Sequence, residues 1–446
     1  MASSDTWGWL VTTTEPLRMF ELSSPFTVGR DPSICSLFID EDLYKPVEKT
    51  VENEKYSWLS RRHFTVRKKT GEKSAVLFDL SMNGTWVNGV KVGKDRQIIL
   101  SHCSVISILD VSAECFRYID RDTMETLYPN CVTQKYIVGS VLGKGTTSEV
   151  RRGYKKVLGE IKTYALKIIS LNNTSSESSE FSPLANSEME IKIMKTVQHP
   201  CILKLYEVIS TPSSVILVME HAVGGELFDA ILNDSNANKI SEQTMKAYFY
   251  QIVHCVRHLH RIKLCHRDLK LENILIGEHK IGDVAILKVA DFGFSKSFSG
   301  SRGPLATYGG TPVYMAPEVS RLEPSLSRDS VHTASYSTKV DCWSLGVILY
   351  TMLCGRRPFS SSSNLHNEIM AGRFRPMEGP LWDNVSAAAK DLIKKLLEVD
   401  PDTRWSTEQV MEHKWFIQDE AAVNVAKAVM FKHEEEDKES FDIDKD

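Results

Sequence analysis

The chain has 446 residues, of which 42% are hydrophobic and 25% charged, a composition that excludes a fibrous or wholly disordered protein and leaves room for two or three domains with cores of their own. The formal charge of −4 gives no global field to draw the chain onto nucleic acid or an anionic membrane, so any anion it recognises is recognised locally. Nine cysteines, an odd number without a Cys-x-x-Cys pair, argue against a disulfide frame or a zinc site and for a reducing compartment. The opening MASSDTWGWL lacks the basic start and long apolar run of a signal peptide. The most apolar later stretch, from Trp343 to Cys354, is too short to span a bilayer. The expectation is a soluble intracellular protein with no membrane partner and no direct nucleic-acid partner.

Residues 1–118 consist of short alternating runs, among them FTVGR, HFTVRK, AVLFDL, TWVNGVKVG and SVISILDV, separated by Gly, Asn, Asp and Pro. That pattern predicts an all-β sandwich or barrel. Within it, SWLSRRHFTV places Ser60, Arg61, Arg62 and His63 at the start of a strand. Three readings compete for them: a charged strand edge, a basic import or nucleic-acid patch, which needs more than two basic residues, and a local anion site. Arg30 in VGRDPS and Asn83 in NGTWVNG also fall at turns. Turns of a sandwich cluster at its ends, so arginine, serine, a second arginine and asparagine can converge on one phosphate.

Gly29-Arg30, Ser60-x-x-His63 and Asn83-Gly84-Thr85, over roughly residues 7–117, resemble the forkhead-associated (FHA) domain, a phosphothreonine-binding module. The resemblance implies Arg30 and Arg61 as phosphate donors, Ser60 as a hydroxyl contact and Asn83 as the holder of the peptide backbone. His63 falls on the alternate face as a scaffold residue, with Arg62 toward solvent.

Residues 119–134 are less regular and are expected to form a linker; it contains one Thr-Gln dipeptide, Thr133-Gln134. From residue 135 strands return in YIVGSVLGKGTTSEVRRGYKK, TYALKIIS and VILVMEH. After Glu226 helical periodicity takes over, as in SEQTMKAYFYQIVHCVRHLHR and SAAAKDLIKKLLEV. A strand-rich lobe followed by a helix-rich lobe predicts a two-lobed α+β architecture over 135–417. Residues 170–187, rich in Ser and Asn, are expected to be a surface loop, and 418–446 an acidic, disordered tail.

HRDLKLENIL at 266–275 and DFG at 291–293 supply a base, a cation and metal-binding oxygens in one neighbourhood. Phosphoryl transfer needs an oriented hydroxyl, neutralised phosphates and held magnesium, with little covalent work by the protein. Asp268 suits the proton acceptor, Lys270 a place at the transferred phosphate, and Asn273 with Asp291 the metal. Lys167 in YALKII suits the nucleotide phosphates, oriented by an acid on the next helix. Glu190 is chosen by its spacing to His199-Pro200 over Glu188, which falls on a different helix face. A lone His-Arg-Asp or Asp-Phe-Gly is an ordinary turn; the ordered set ending in Ala316-Pro317-Glu318 is not.

This stretch resembles the eukaryotic protein kinases along its length, including GGELFDAIL, VDCWSLGVILYTMLCG and DPDTRW. The resemblance implies ATP and Mg2+ as cofactors, Asp341 and Arg404 as supports of the large lobe, Met219 as gatekeeper, and 220–222 as the hinge that receives adenine. Leu142, Gly143, Lys144, Gly145, Val150, Ala165, Lys167, Glu220, Ala222, Glu226, Leu275 and Asp291 are the implied nucleotide-binding positions. One departure is Ser148, where the family pattern has a third glycine; serine lacks glycine's freedom at positive φ.

Between Asp291 and Glu318 several hydroxyls lie beside Arg267 as candidate phosphorylation sites, Thr307 first and Thr311 second, against the reading that they only cap turns. Glu226 is either an acid that selects an arginine upstream of the target Ser or Thr, or a helix N-terminal acid favoured by the dipole. An FHA domain ahead of a Ser/Thr kinase, with HPCILKLYEV and GGELFD, resembles the checkpoint kinase 2 family. That implies DNA-damage or meiotic signalling in the nucleus, an upstream damage-sensing kinase, recruitment by phosphothreonine proteins and a transient homodimer. The family's N-terminal Ser-Gln/Thr-Gln cluster and basic C-terminal import signal are not in this sequence, which leaves cytoplasmic location open as well. Two rivals are a phosphopeptide-binding scaffold with an inactive kinase domain, against which the complete Lys167, Asp268, Asn273 and Asp291 set speaks, and a calmodulin-dependent-type kinase. The latter needs a basic amphipathic helix, and EAAVNVAKAVMFKHEEE is weakly basic at best.

Overall fold

Alternation of inward apolar and outward polar side chains builds the first eleven strands: β1 Gly8–Thr12, β2 Met19–Leu22, β3 Phe26–Gly29, β4 Leu37–Phe38, β5 Phe64–Arg67, β6 Ala75–Asp79, β7 Thr85–Val87, β8 Val90–Lys91, β9 Gln97–Leu100, β10 Val105–Ile108 and β11 Glu114–Asp120. They form a six-stranded sheet in the order β2-β1-β11-β10-β7-β8 and a five-stranded sheet in the order β4-β3-β5-β6-β9. The core between them includes Leu10, Val28, Phe64, Leu77, Ile106 and Tyr118. The computed structural model describes residues 5–40, 43, 55–69, 71–72, 74–145, 148–171, 183–232, 240–292, 296–297, 312–320, 337–360 and 364–443. The chain divides into two units, residues 1–170 with 207–218, and residues 171–206 with 219–446.

The segment expected to be a linker is structured. Asp120 caps α1 (Arg121–Leu127), its carboxylate accepting from Thr123 N at 2.8 Å, and α2 (Asn130–Thr133) follows. Helices this short span too few turns to display a 3.6-residue period. Their packing was visible in another way: every residue of β1, GWLVT, is buried, so the strand is apolar on both faces. Leu10 points into the sandwich. Trp9 and Val11 point the other way, into a second core with Ile119, Met124, Val132, Tyr136, Val138, Tyr154, Tyr164 and Leu166. That second core joins the sandwich to the next sheet, made of β12 Ile137–Lys144, β13 Ser148–Val157, β14 Glu160–Ser170, β15 Leu205–Ser210 and β16 Ser214–Glu220 in the order β12-β13-β14-β16-β15.

The second unit is mainly helical. Its helices include α3 Pro183–Thr196, which takes up the end of the expected 170–187 loop, α4 Leu227–Leu232, α5 Glu242–Arg261, α6 Lys339–Cys354 and α7 Ala387–Leu396. Helix α6 is buried nearly all round, as its mostly apolar sequence requires. Between α5 and α6 come β17 Leu264–Cys265, paired with β20 Lys296–Ser297, and a hairpin of β18 Ile274–Ile281 with β19 Val284–Val289.

The expected acidic tail is a correction as well: it is helix α8, Glu420–Ile443. Ala422, Val423, Ala426, Val429, Met430 and His433 are all buried, a stripe at helical spacing that packs on α5, β18 and β19. The acidic residues that dominate its composition concealed this stripe. No described helix is long and apolar enough to cross a membrane.

Candidate active site and phosphopeptide site

In the first unit, three loops at one end of the sandwich meet. Arg30 N donates to Ser60 O at 3.2 Å, Ser60 Oγ accepts from Met82 N at 3.1 Å, and Asn83 Nδ2 donates to Trp58 O at 2.7 Å. Arg30, Ser60, Arg61 and Asn83 are thus in one loop cluster, with both arginines exposed. Arg30 Nε is spent on Leu59 O at 2.6 Å, which leaves the terminal nitrogens of its fork to a ligand. The loops approach closely because residue 29 is glycine; a Cβ there would sit 2.3 Å from Arg61 O. His63 is fully buried. Its Nδ1 accepts from Ser60 N at 3.3 Å, so Nε2 carries the proton toward Gly84 O at 3.0 Å and ties the second loop to the third. Burial holds the ring near pKa 4, so it remains neutral.

Sequence reasoning overlooked Asp31. Arg61 Nε donates to its Oδ2 at 2.7 Å, and Nη2 contacts the same oxygen. Ser33 and Arg61 hold this carboxyl at about 2. Its place directly after Arg30 was the available signal.

Among the positions expected to bind nucleotide, Leu142, Gly143, Lys144, Val150, Ala165 and Lys167 lie on β12, β13 and β14, with Gly143 facing Val150 and Val150 facing Lys167 across the ladder. Gly145 N donates to Ser148 O at 2.8 Å. Ser148 opens β13 in extended backbone, a conformation that any residue adopts, so the missing third glycine strains nothing in the chain.

In the second unit, Glu190 is buried on α3 while Glu188 is exposed, so the two fall on different faces. Asp268, Lys270 and Asn273 are joined: Lys270 Nζ donates to Asp268 Oδ2 at 2.8 Å, and Asn273 Nδ2 donates to Asp268 O at 2.8 Å and Oδ2 at 3.1 Å. Ala290 N donates to Asn273 O at 2.9 Å, which brings Asp291 beside this loop. Arg267 and Asp291 both take positive φ, 70° and 64°, a costly conformation for residues with side chains and one that collects at functional sites. Leu275 follows on β18, and Glu220 and Ala222 follow Met219, the expected gatekeeper, at the end of β16.

Asp341 supplies the support. It is fully buried and accepts from His266 N and Arg267 N at 2.9 Å each and from His260 Nε2 at 2.9 Å. Burial alone would raise its pKa; the bond from His260 and those from the loop outweigh it and leave the carboxyl at about 2. Arg404, also fully buried, forms a bidentate pair with Glu318 at 2.8 and 2.9 Å and donates to Glu398 O, Val399 O and Lys339 O. Glu226 is exposed at the N-terminal edge of α4, where partial desolvation and the carboxylates of Asp229 and Glu272 raise its pKa. Thr307 and Thr311, and Gly293, lie outside the described residues.

Residues 136–416 match the protein kinase domain model and residues 26–109 the FHA domain model. The ovarian-specific serine/threonine-protein kinase Lok of Drosophila melanogaster is 35% identical over 91% of this chain and 81% of its own length. The chain belongs to the checkpoint kinase 2 family. The probable serine/threonine-protein kinase fhkC of Dictyostelium discoideum is 31% identical to this kinase over all of the chain and 68% of its own length. The crystal structure of Rad53 1-466 in complex with AMP-PNP matches it with a TM-score of 0.50 and 28% identity, covering 92% of this chain and 99% of that one. The kinase is a serine/threonine protein kinase that binds ATP, and its FHA domain is a phosphothreonine-peptide module.

Proposed function

We propose that this kinase binds a phosphothreonine protein through Arg30, Ser60, Arg61 and Asn83 and, once recruited, phosphorylates Ser or Thr residues preceded by arginine, in DNA-damage or meiotic checkpoint signalling in the nucleus. The observation that carries the catalytic half is the joined set of Asp268, Lys270 and Asn273. Asp268 Oδ2 accepts from Lys270 Nζ and Asn273 Nδ2, which fixes the carboxylate and leaves Oδ1 to accept the proton of a substrate hydroxyl. Lys270, anchored to the same oxygen, brings its charge to the transferred phosphoryl group. Lys167 is the lysine for the nucleotide phosphates.

The donor set suits magnesium, a hard cation bound by oxygen. Asn273 spends its amide nitrogen on Asp268, so its amide oxygen is the atom left for a cation, and Asp291 contributes a carboxylate. When bound, the ion neutralises charge on the nucleotide phosphates. Glu226 with Asp229 and Glu272 concentrates negative charge, which supports selection of a basic residue in the substrate. Recruitment raises the local concentration of the kinase near an upstream kinase or a second copy, favouring phosphorylation of Thr307 or Thr311 in trans.

Phosphate transfer to peptides with and without an upstream arginine, by wild type and Asp268→Asn, tests the catalytic half; equal labelling by both proteins would overturn it. Arg30→Ala or Arg61→Ala should abolish phosphothreonine-peptide binding in the full chain and leave its rate on a free peptide unchanged.

A further inference from the structure

Helix α8 ends its described packing on His433, and what His433 touches is a buried cation. Lys288, on β19, is 1% exposed. Its Nζ donates to Glu220 Oε2 at 2.9 Å and to His433 Nε2 at 2.5 Å. An ammonium has protons and no lone pair, so Nε2 is the acceptor and the His433 ring is neutral. The other oxygen of Glu220 lies 3.9 Å from the same ring nitrogen, and the His279 ring packs on His433 with centroids 5.0 Å apart. Glu220 is fixed further by Lys204, whose N–H donates to Oε2 at 3.2 Å and whose carbonyl accepts Glu220 N at 2.9 Å.

A buried ammonium needs partners for its protons, and one carboxylate oxygen does not supply them all. Here the second partner comes from a helix outside the matched kinase domain, which ends at residue 416. The residue at the other end of the bridge is the first of the segment assigned to adenine. We propose that His433 is a positioning residue for nucleotide binding: through Lys288 it fixes Glu220, so that the kinase's affinity for ATP depends on the docking of its C-terminal helix. The apolar stripe from Ala422 to Met430 brings the helix to the site, and the imidazole registers it there. The inference rests on the assignment of 220–222 to adenine binding.

The test is steady-state kinetics of the full chain with MgATP and an arginine-containing peptide, alongside thermal melting. His433→Ala should raise KM for ATP by about fivefold or more while kcat and the peptide KM stay put. His433→Gln, whose amide oxygen can accept from Lys288, should restore most of the affinity. In a Lys288→Met background the step from His433 to Ala should have no further effect on KM. A melting shift with KM for ATP unmoved, or Ala and Gln behaving alike, would overturn the proposal. Glu220→Gln separates the two layers. Should it raise KM for ATP while His433→Ala does not, the Glu220 side chain matters but the coupling to the helix fails; should neither move it, the Glu220 side chain does not position the nucleotide and the proposal fails while the backbone hinge assignment is untouched.

Discussion

Arg61 and Asp31 form an ion pair at the proposed phosphopeptide site, with Nε 2.7 Å from Oδ2. An incoming phosphate therefore competes with a carboxylate for the same guanidinium. Asp31 is ionised well below neutral pH, so the competition operates throughout the physiological range. Solvent-screened pairs of this kind contribute little to stability. Asp31→Asn should accordingly tighten phosphothreonine-peptide binding by roughly two- to fivefold; fluorescence anisotropy with phosphorylated and unphosphorylated peptides measures it, and weaker binding would mean that Asp31 orients Arg61 more than it occupies it.

Trp9 faces away from the sandwich core into the apolar cluster shared with Tyr136, Val138, Tyr154 and Tyr164. Trp9→Ala should cost about 3–5 kcal/mol, as large core truncations do, and the loss should appear in the stability of the kinase sheet as well as the FHA domain. Limited proteolysis of the full chain, followed at sites in β12 to β14, checks this. An unchanged cleavage rate there would show that the shared core carries no coupling.

Much of this was legible from the chain, and the misses have a common cause. Asp268, Lys270 and Asn273 lie within six positions of one another, so their chemistry and spacing are local. The FHA loops were harder: Arg30, Ser60 and Asn83 are far apart in sequence, and only the tendency of sandwich turns to gather at one end joined them. Asp31, His260 and His433 were missed because their partners, Arg61, Asp341 and Lys288, are set by tertiary packing. The segments that read as linker and tail conceal structure for different reasons. Helices α1 and α2 are too short for periodicity to register, and the charges of α8 masked a narrow apolar stripe.

Asp341 holds the catalytic loop by accepting from two successive backbone N–H groups, those of His266 and Arg267. Asp341→Asn keeps the shape but replaces a carboxylate oxygen by a donor, so kcat should fall at least about tenfold with KM for ATP little changed. The pH dependence follows from the lowered pKa of about 2 against a usual 3.8. The contribution is complete above the unfolded value and is lost as pH falls through the folded one. It amounts to on the order of 2 kcal/mol, so urea denaturation at pH 7 and pH 2.5 should show a smaller acid-induced loss in Asp341→Asn than in wild type.

Arg404 spends its whole fork: two nitrogens on Glu318 and the remaining bonds on three carbonyls. Arg404→Ala leaves Glu318 without its bidentate partner and should cost about 3–5 kcal/mol. Arg404→Lys should recover little of it, because an ammonium cannot reproduce the planar fork. Differential scanning calorimetry of the two variants distinguishes this from a simple charge effect, under which lysine would rescue.

His199 and His254 share one proton-poor contact, and it makes the second unit sensitive to mild acid. His199 Nδ1 accepts from Cys201 N at 3.0 Å, so its Nε2 carries the proton and donates to His254 Nδ1 at 2.9 Å. Protonating His199 breaks the first bond, and protonating His254 removes the acceptor of the second. Burial, then the neighbouring His254 and His258 rings with Lys288 and Arg257, hold His199 near pKa 3; burial with Arg257, His258, Arg261 and Lys427 holds His254 near 4. In the unfolded chain both rings titrate near 6.5. Stability is therefore whole above about pH 6.5 and falls as the pH drops toward the folded values, by on the order of 2 kcal/mol for His199 alone at pH 5. His254→Gln keeps an acceptor that takes up no proton and removes one of the two titrating rings. Denaturant midpoints measured from pH 7.5 to 5 should decline less in that variant than in wild type; parallel declines would assign the acid sensitivity to other groups.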